Sequence, residues 1–252
     1  MTGTPAGAPK PSAPDDWLGA IVPLGLARET TWRPVGAGVL LIDPPLVWLA
    51  APRSLLEQLP PDRNLAAFVS EQQGGIVLDL ITGRRGTPID WIRHETLDLA
   101  VCLFPVNPAW GIKAFPESRC VEPERLMAGL PVLTVASAYG SELGLRPAPL
   151  VLPGMLARRD ATTLVTTLPL LPQNVGAPVL VPVSGSDGGG VALVGILVRP
   201  IQVPPHPLGS HLTLTQGIPV TEALGLIRSE AGRAQRRIAI EQSRAEEATG
   251  PS

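Results

Sequence analysis

Between residue 17 and about residue 216 the chain alternates short apolar runs with clusters of Gly, Pro, Asp and Ser. Residues 35–42 form one run, stopped by Asp43-Pro44-Pro45, and residues 46–50 follow at once. Residues 75–81, 97–104, 130–136, 164–167, 179–183 and 191–198 complete the main set. Runs of this length, bounded by turn residues and with few helical periods between them, predict strands of an all-β sandwich or barrel. Residues 184–190, rich in Gly and Ser around Asp187, predict a hairpin loop between the last two runs. Residues 52–59 predict a short helix.

The pattern changes near the C-terminus. Pro219 and Thr221 are helix-start residues, and after them Leu224, Ile227, Ala231, Ala234 and Ile238 recur at spacings of three and four. They predict one narrow apolar stripe on a helix running from about residue 219 or 220 to 246, about 40 Å long at the α-helical rise. Arginines and glutamates occupy the rest of its surface. Gly225 and Gly232 each weaken such a helix by about 1 kcal/mol. It therefore needs a surface to lie on, its own barrel or another chain. Residues 1–15, rich in Pro, Ala, Gly and Ser, and residues 247–252 read as disordered tails.

Composition narrows the function classes. The 252 residues carry 30 prolines and 26 glycines, which suits many turns and argues against an all-α fold. A net charge of −2 supplies no basic field for nucleic acid, and 4% aromatics supply no base-stacking platform. No stretch approaches the roughly 20 apolar residues of a membrane span. The N-terminal residues lack the apolar core of a signal peptide, so a cytoplasmic protein is expected. Cys102 and Cys120 are too few for a disulfide framework or a zinc site. A bridge between them and two free thiols both stay open, with Cys102 read as a small buried hydrophobe in a strand.

Several short motifs occur in a telling order. Gly36-Ala37-Gly38-Val39 is followed by Val47-Trp48-Leu49-Ala50-Ala51-Pro52-Arg53-Ser54-Leu55, then by Leu97-Asp98-Leu99-Ala100-Val101, then by Gly129-Leu130-Pro131-Val132. Thr166-Thr167 leads to Gln173-Asn174-Val175-Gly176-Ala177-Pro178, and Val194-Gly195-Ile196 and Gly217-Ile218-Pro219-Val220 close the series. In this order the chain resembles trypsin-like serine proteases, most closely their HtrA-type branch, over about residues 17–230. The resemblance implies two packed six-stranded antiparallel β-barrels, about residues 16–120 and 121–218, with a C-terminal helix.

The departures fall on the reaction centre. A serine-protease triad needs a nucleophile, a base to take its proton and a carboxylate to orient the base. By the resemblance, Pro52 stands in the histidine position, Val175 in the serine position, and Asp98 alone is kept. Proline cannot shuttle a proton and valine cannot attack. Gln173 stands where a glycine contributes to the oxyanion hole, in a conformation that glycine adopts most easily. Loss of a single triad member costs on the order of 10⁴ to 10⁶ in rate, so covalent catalysis is not expected here.

Relocation of the chemistry finds little support. Ser186, in Gly185-Ser186-Asp187-Gly188-Gly189, lies only nine positions before Gly195, too few for the hairpin that separates a nucleophile from the following strand; Val175 lies twenty before it. His94, four residues before Asp98, cannot readily reach the base position from the same ribbon. His206 and His211 read as loop residues and make too small a set for a metal site. Asp98, lacking a histidine, must find backbone N–H donors or water.

The resemblance with its departures implies a pseudoprotease that acts by binding a protein, needs no cofactor, and presents its inter-barrel cleft and a helix stripe containing Leu224, Ile227 and Ile238. A structural subunit of a larger assembly is the alternative, and an active hydrolase using Ser186 a more distant one.

Overall fold

The architecture was read from a computed structural model, which describes residues 17–249 apart from 29–30, 61–62, 72–73, 82–88, 108–109, 111, 139–147, 184–189 and 203–212. The first half contributes β1 (Ile21–Arg28), β2 (Thr31–Asp43), β3 (Leu46–Ala51), the one-turn helix α1 (Ser54–Glu57), β4 (Asn64–Glu71), β5 (Gly74–Asp79), β6 (Ile92–Arg93), β7 (Ala100–Leu103) and β8 (Phe115–Pro116). The second half contributes β9 (Pro131–Ala138), β10 (Ala148–Arg159), β11 (Leu164–Thr166), β12 (Pro178–Val183), β13 (Gly190–Ile201) and β14 (Leu214–Pro219). Two helices end the chain, α2 (Val220–Arg228) and α3 (Glu230–Thr249).

The second half is a closed six-stranded barrel in the order β10-β11-β14-β13-β12-β9, with β9 returning to β10. The first half departs from the expected six-stranded barrel. It is a curled half-barrel of eight strands, with the path β5-β4-β1-β2-β3-β7-β6 and β8 attached to β2. Its end strands β5 and β6 do not pair. With only two residues, β6 offers too little backbone to close a ladder. The pairing is not antiparallel throughout either: β8 runs parallel to β2, opposite Leu41 and Ile42, where β1 has already ended its pairing at Val39.

Burial on both faces explains why so many runs lack polar alternation. Successive strand side chains point to opposite faces. In β2, Val39 and Leu41 enter a cluster between the sheet and the barrel, while Leu40 enters the interior of the half-barrel. β3 divides the same way, Trp48 and Ala50 to the interface, Leu49 and Ala51 to the interior. So does the barrel: on β13, Leu193, Ile196 and Val198 face the interface while Val194 and Leu197 face the barrel core. Each fully buried leucine in these layers contributes about 1.5–3 kcal/mol of apolar transfer. By contrast β10 leaves Leu150, Val151 and Met155 about half exposed, away from the interface.

The predicted hairpin loop at 184–190 lies almost wholly outside the described residues, but the strands flanking it pair antiparallel with Val183 opposite Gly190. Cys102 is buried in β7 among the half-barrel core, and both cysteines are free.

The single helix expected from the stripe is two helices. Ser229 breaks it: its hydroxyl donates to Leu226 O (2.6 Å) and accepts from Gly232 N (3.2 Å), which caps the start of α3. Gly232 makes the corner possible, since a Cβ there would lie 2.1 Å from Ile227 O. The break also redistributes the stripe. Ile227 is buried in the sheet–barrel cluster, and Leu224 packs against it, whereas Ile238 on α3 is 54% exposed.

Candidate functional site

The positions that the resemblance singles out meet where the half-barrel touches the barrel. The loop after Leu171 begins with a 3₁₀ turn, Pro172–Asn174, and is held by Asn174, which is fully buried. Its Oδ1 accepts from Leu171 N (2.6 Å), its Nδ2 donates to Pro169 O (2.9 Å), and its own N–H donates to Leu171 O (3.0 Å). A buried amide so satisfied fixes the loop. Gln173, half buried, therefore sits in 3₁₀ geometry, without the left-handed backbone that only glycine takes freely.

The next three residues are tied to both halves. Val175 O accepts from Ala37 N of β2 (2.7 Å), and Gly176 N donates to Leu197 O of β13 (2.7 Å). Ala177 N donates to Asn174 O (2.9 Å). Gly176 takes φ +89°, and a Cβ there would stand 1.9 Å from Ala37 O and 2.8 Å from Pro52 Cδ. A side chain is thus excluded by conformation and by space. Gly36 makes a similar allowance, for its Cβ would lie 2.6 Å from Val175 O and 2.9 Å from Leu55 Cδ1. Pro52, Val175 and the start of α1 are therefore immediate neighbours around β2.

Asp98 joins the group through Ser54. Its Oδ1 accepts from Ser54 N (2.6 Å) and its Oδ2 from Ser54 Oγ (2.8 Å). The carboxylate thereby caps the first turn of α1, where the free N–H groups and the helix dipole favour negative charge. The preceding segment is pinned to the same turn. Arg53 Nη1 donates to His94 O (2.9 Å) and Glu95 O (3.3 Å), and Arg53 Nε lies 3.0 Å from Glu57 Oε1. His94 is occupied elsewhere: Nδ1 accepts from Thr96 N (3.2 Å) and Leu97 N (3.1 Å), and Nε2 faces Glu222 Oε2 on α2 at 3.4 Å. With Nδ1 accepting, the ring proton sits on Nε2 and points to the glutamate.

The arrangement brings Pro52, Asp98 and Val175 to one place, with Gln173 on the same loop as Val175. Among the described residues of this group, Asp98 and Ser54 carry the protic side chains. The protic side chain nearest the carboxylate is Ser54, whose hydroxyl donates to Asp98 with no imidazole between them. A carboxylate is far too weak a base to deprotonate an alcohol without such a relay. Ser54 and Arg53 are the site residues that sequence reasoning missed. Their types fit a helix start, but their partners lie about forty positions away and only the fold reveals them.

Ser186, His206 and His211 lie outside the described residues. Among the described residues no three His, Cys, Asp or Glu side chains group so as to hold a metal ion, and no helix is long and apolar enough to cross a membrane. A pocket of about 620 Å³ is lined by Leu56, Leu59, Ile81, Ile89, Asp90, Trp91 and Arg93, and none of Pro52, Asp98, Gln173 and Val175 lines it. No protein-family model matches the chain, and no curated protein matches it. The closed barrel, the half-barrel and the C-terminal helices are compatible with a trypsin-like fold.

Proposed function

We propose that this chain is a trypsin-like pseudoprotease that works by holding another protein, with an extended segment lying along the seam between half-barrel and barrel. The observation that carries the reading is the convergence of Pro52, Val175 and the Asp98–Ser54 pair around β2, positions that the resemblance alone had linked across more than a hundred residues. The positions that the resemblance assigns to base and nucleophile, Pro52 and Val175, hold residues without proton chemistry. An HtrA-type ancestry accounts for that combination, and binding accounts for the scaffold's retention. An extended ligand would add main-chain hydrogen bonds and place side chains beside Gln173 and Leu55. Two free thiols, one fully buried, suit a reducing compartment, and we place the protein in the cytoplasm.

The test has two arms. A serine-reactive phosphonate is expected to leave the protein unlabelled; labelling abolished by Ser186→Ala would overturn the non-catalytic reading. A photo-crosslinking residue installed at Gln173 is expected to capture a protein in its native host extract, at a position that peptide mapping assigns to an extended segment. Absence of a crosslinked protein, with the variant folded as the parent, would overturn the binding reading. Membership of a larger assembly is the second reading, favoured by α3, where residues 241–245 are exposed.

A further inference from the structure

Helix α3 docks one face and exposes another over residues 230–245. Its used face is anchored by Gln235 Nε2, which donates to Asp90 O (2.9 Å), and by Arg236, which pairs with Asp43 and donates to Pro44 O (2.9 Å). On the other side Ala231 and Ile238 are exposed, as are residues 241–245. At 3.6 residues per turn, Ala231, Ala234, Ile238 and Ala245 fall within about 40° of one line along the helix. The large side chain in that line is Ile238, and the alanines around it let a second helix approach closely.

The charges beside this line have a particular order. Glu230, Arg233, Arg237, Glu241 and Arg244 are all exposed and lie along one flank. Reversing the direction of the helix sets opposite charges level at four of these five positions and sets Arg237 level with the second copy's Arg237. Arg237 stands midway between Glu230 and Arg244 and midway between Arg233 and Glu241. A two-fold axis crossing the helix near Arg237 and Ile238 sets Glu230 level with the second copy's Arg244 and Arg233 level with the second copy's Glu241. Symmetry repeats both pairs. In a parallel two-fold pairing the charged flanks lie on opposite sides of the pair, so these ion pairs do not form. A heterologous partner would not require self-complementary order; a two-fold pair does.

We propose that α3 is a homodimerisation helix, pairing antiparallel with a second copy of this chain about an axis near Ile238. This rests on the binding role of α3 and is independent of the seam near Gln173. Ile238 of the two copies packs across the axis, the alanines close the contact, and four symmetry-related ion pairs set direction and register. The contact is one helix wide, so the dimer is weak and concentration-dependent.

Sedimentation velocity of the full chain over a wide concentration range tests it. The wild type is expected to pass from monomer to dimer, more weakly at high salt. Arg233→Glu alone and Glu241→Arg alone each place two like-charge contacts in the pair and should weaken association about tenfold or more. An equimolar mixture of these two single variants should dimerise again, because one now carries acidic residues at both positions and the other basic residues at both. The double variant should self-associate as the wild type does. A wild type that stays monomeric throughout, or a dimer indifferent to both single reversals, would overturn the proposal. Neither substitution touches the seam, so capture by the crosslinker at Gln173 is expected to persist in both; that separates failure of the dimer from failure of the seam reading.

Discussion

Replacing Asp98 by alanine tests whether a carboxylate that the resemblance assigns to catalysis has become a structural cap. In the fold its two oxygens accept from the backbone N–H and the hydroxyl of Ser54, at 2.6 and 2.8 Å. A hydrogen bond to a charged acceptor contributes about 1.5–3 kcal/mol, and loss of a helix cap costs about 0.5–2 kcal/mol. Asp98 is only half buried, and α1 is one turn long, so water recovers part of the loss. The expected cost of Asp98→Ala is about 2 kcal/mol, roughly thirtyfold in the unfolding equilibrium. Asp98→Asn keeps an acceptor for Ser54 N–H, and the Ser54 hydroxyl can turn to accept from the new amide. It should cost under about 1 kcal/mol. The assay is equilibrium urea unfolding followed by tryptophan fluorescence, with five tryptophans to report and the denaturant slope checked for constancy. A double-mutant cycle with Ser54→Ala should return a coupling of at least about 0.5 kcal/mol. A loss below about 0.5 kcal/mol for Asp98→Ala, or zero coupling to Ser54, would refute the capping argument.

Three further outcomes are expected. Gly176→Ala forces a Cβ to 1.9 Å from Ala37 O at φ +89° and should cost about 3 kcal/mol or more, read by the same unfolding assay. Ile227→Ala should cost about 3 kcal/mol, because the side chain is buried between sheet and barrel, while Ile238→Ala should leave monomer stability within about 0.5 kcal/mol. Burial pushes the Cys102 thiol well up, and burial with the nearby Glu117 carboxylate pushes Cys120 up to about 12, so both thiols stay protonated at neutral and mildly alkaline pH. A thiolate-selective colorimetric reagent at pH 8 should therefore react slowly with the native protein and rapidly with two thiols after unfolding; prompt native labelling of either cysteine would contradict the burial argument.

Much of the strand content was legible because it depends on local pattern. The apolar runs at 35–42, 46–50 and 191–198 fall within β2, β3 and β13, bounded by the residues that stop a strand. The helical stripe after Pro219 was legible for the same reason. Its break was not. Gly232 marks a weak point without marking a turn, and only the docking of α2 into the sheet–barrel layer shows why the chain must turn there. Docking also buries Ile227 and packs the partly buried Leu224 against the sheet–barrel cluster, which a stripe on a helical projection cannot reveal.

The candidate site shows the same division. Sequence by itself established that Pro52 and Val175 carry no proton chemistry, because that is a property of the side chain wherever it lies. Tertiary structure decided the rest. It brought residues 36, 52, 98 and 175 together, gave Asp98 the donors of Ser54 in place of an imidazole, turned His94 toward Glu222, and left the first sheet open where a barrel was expected. Each of these depends on contacts between residues far apart in the chain. Hydrophobic periodicity reports which face of a strand is buried, but carries no record of what lies on the other side.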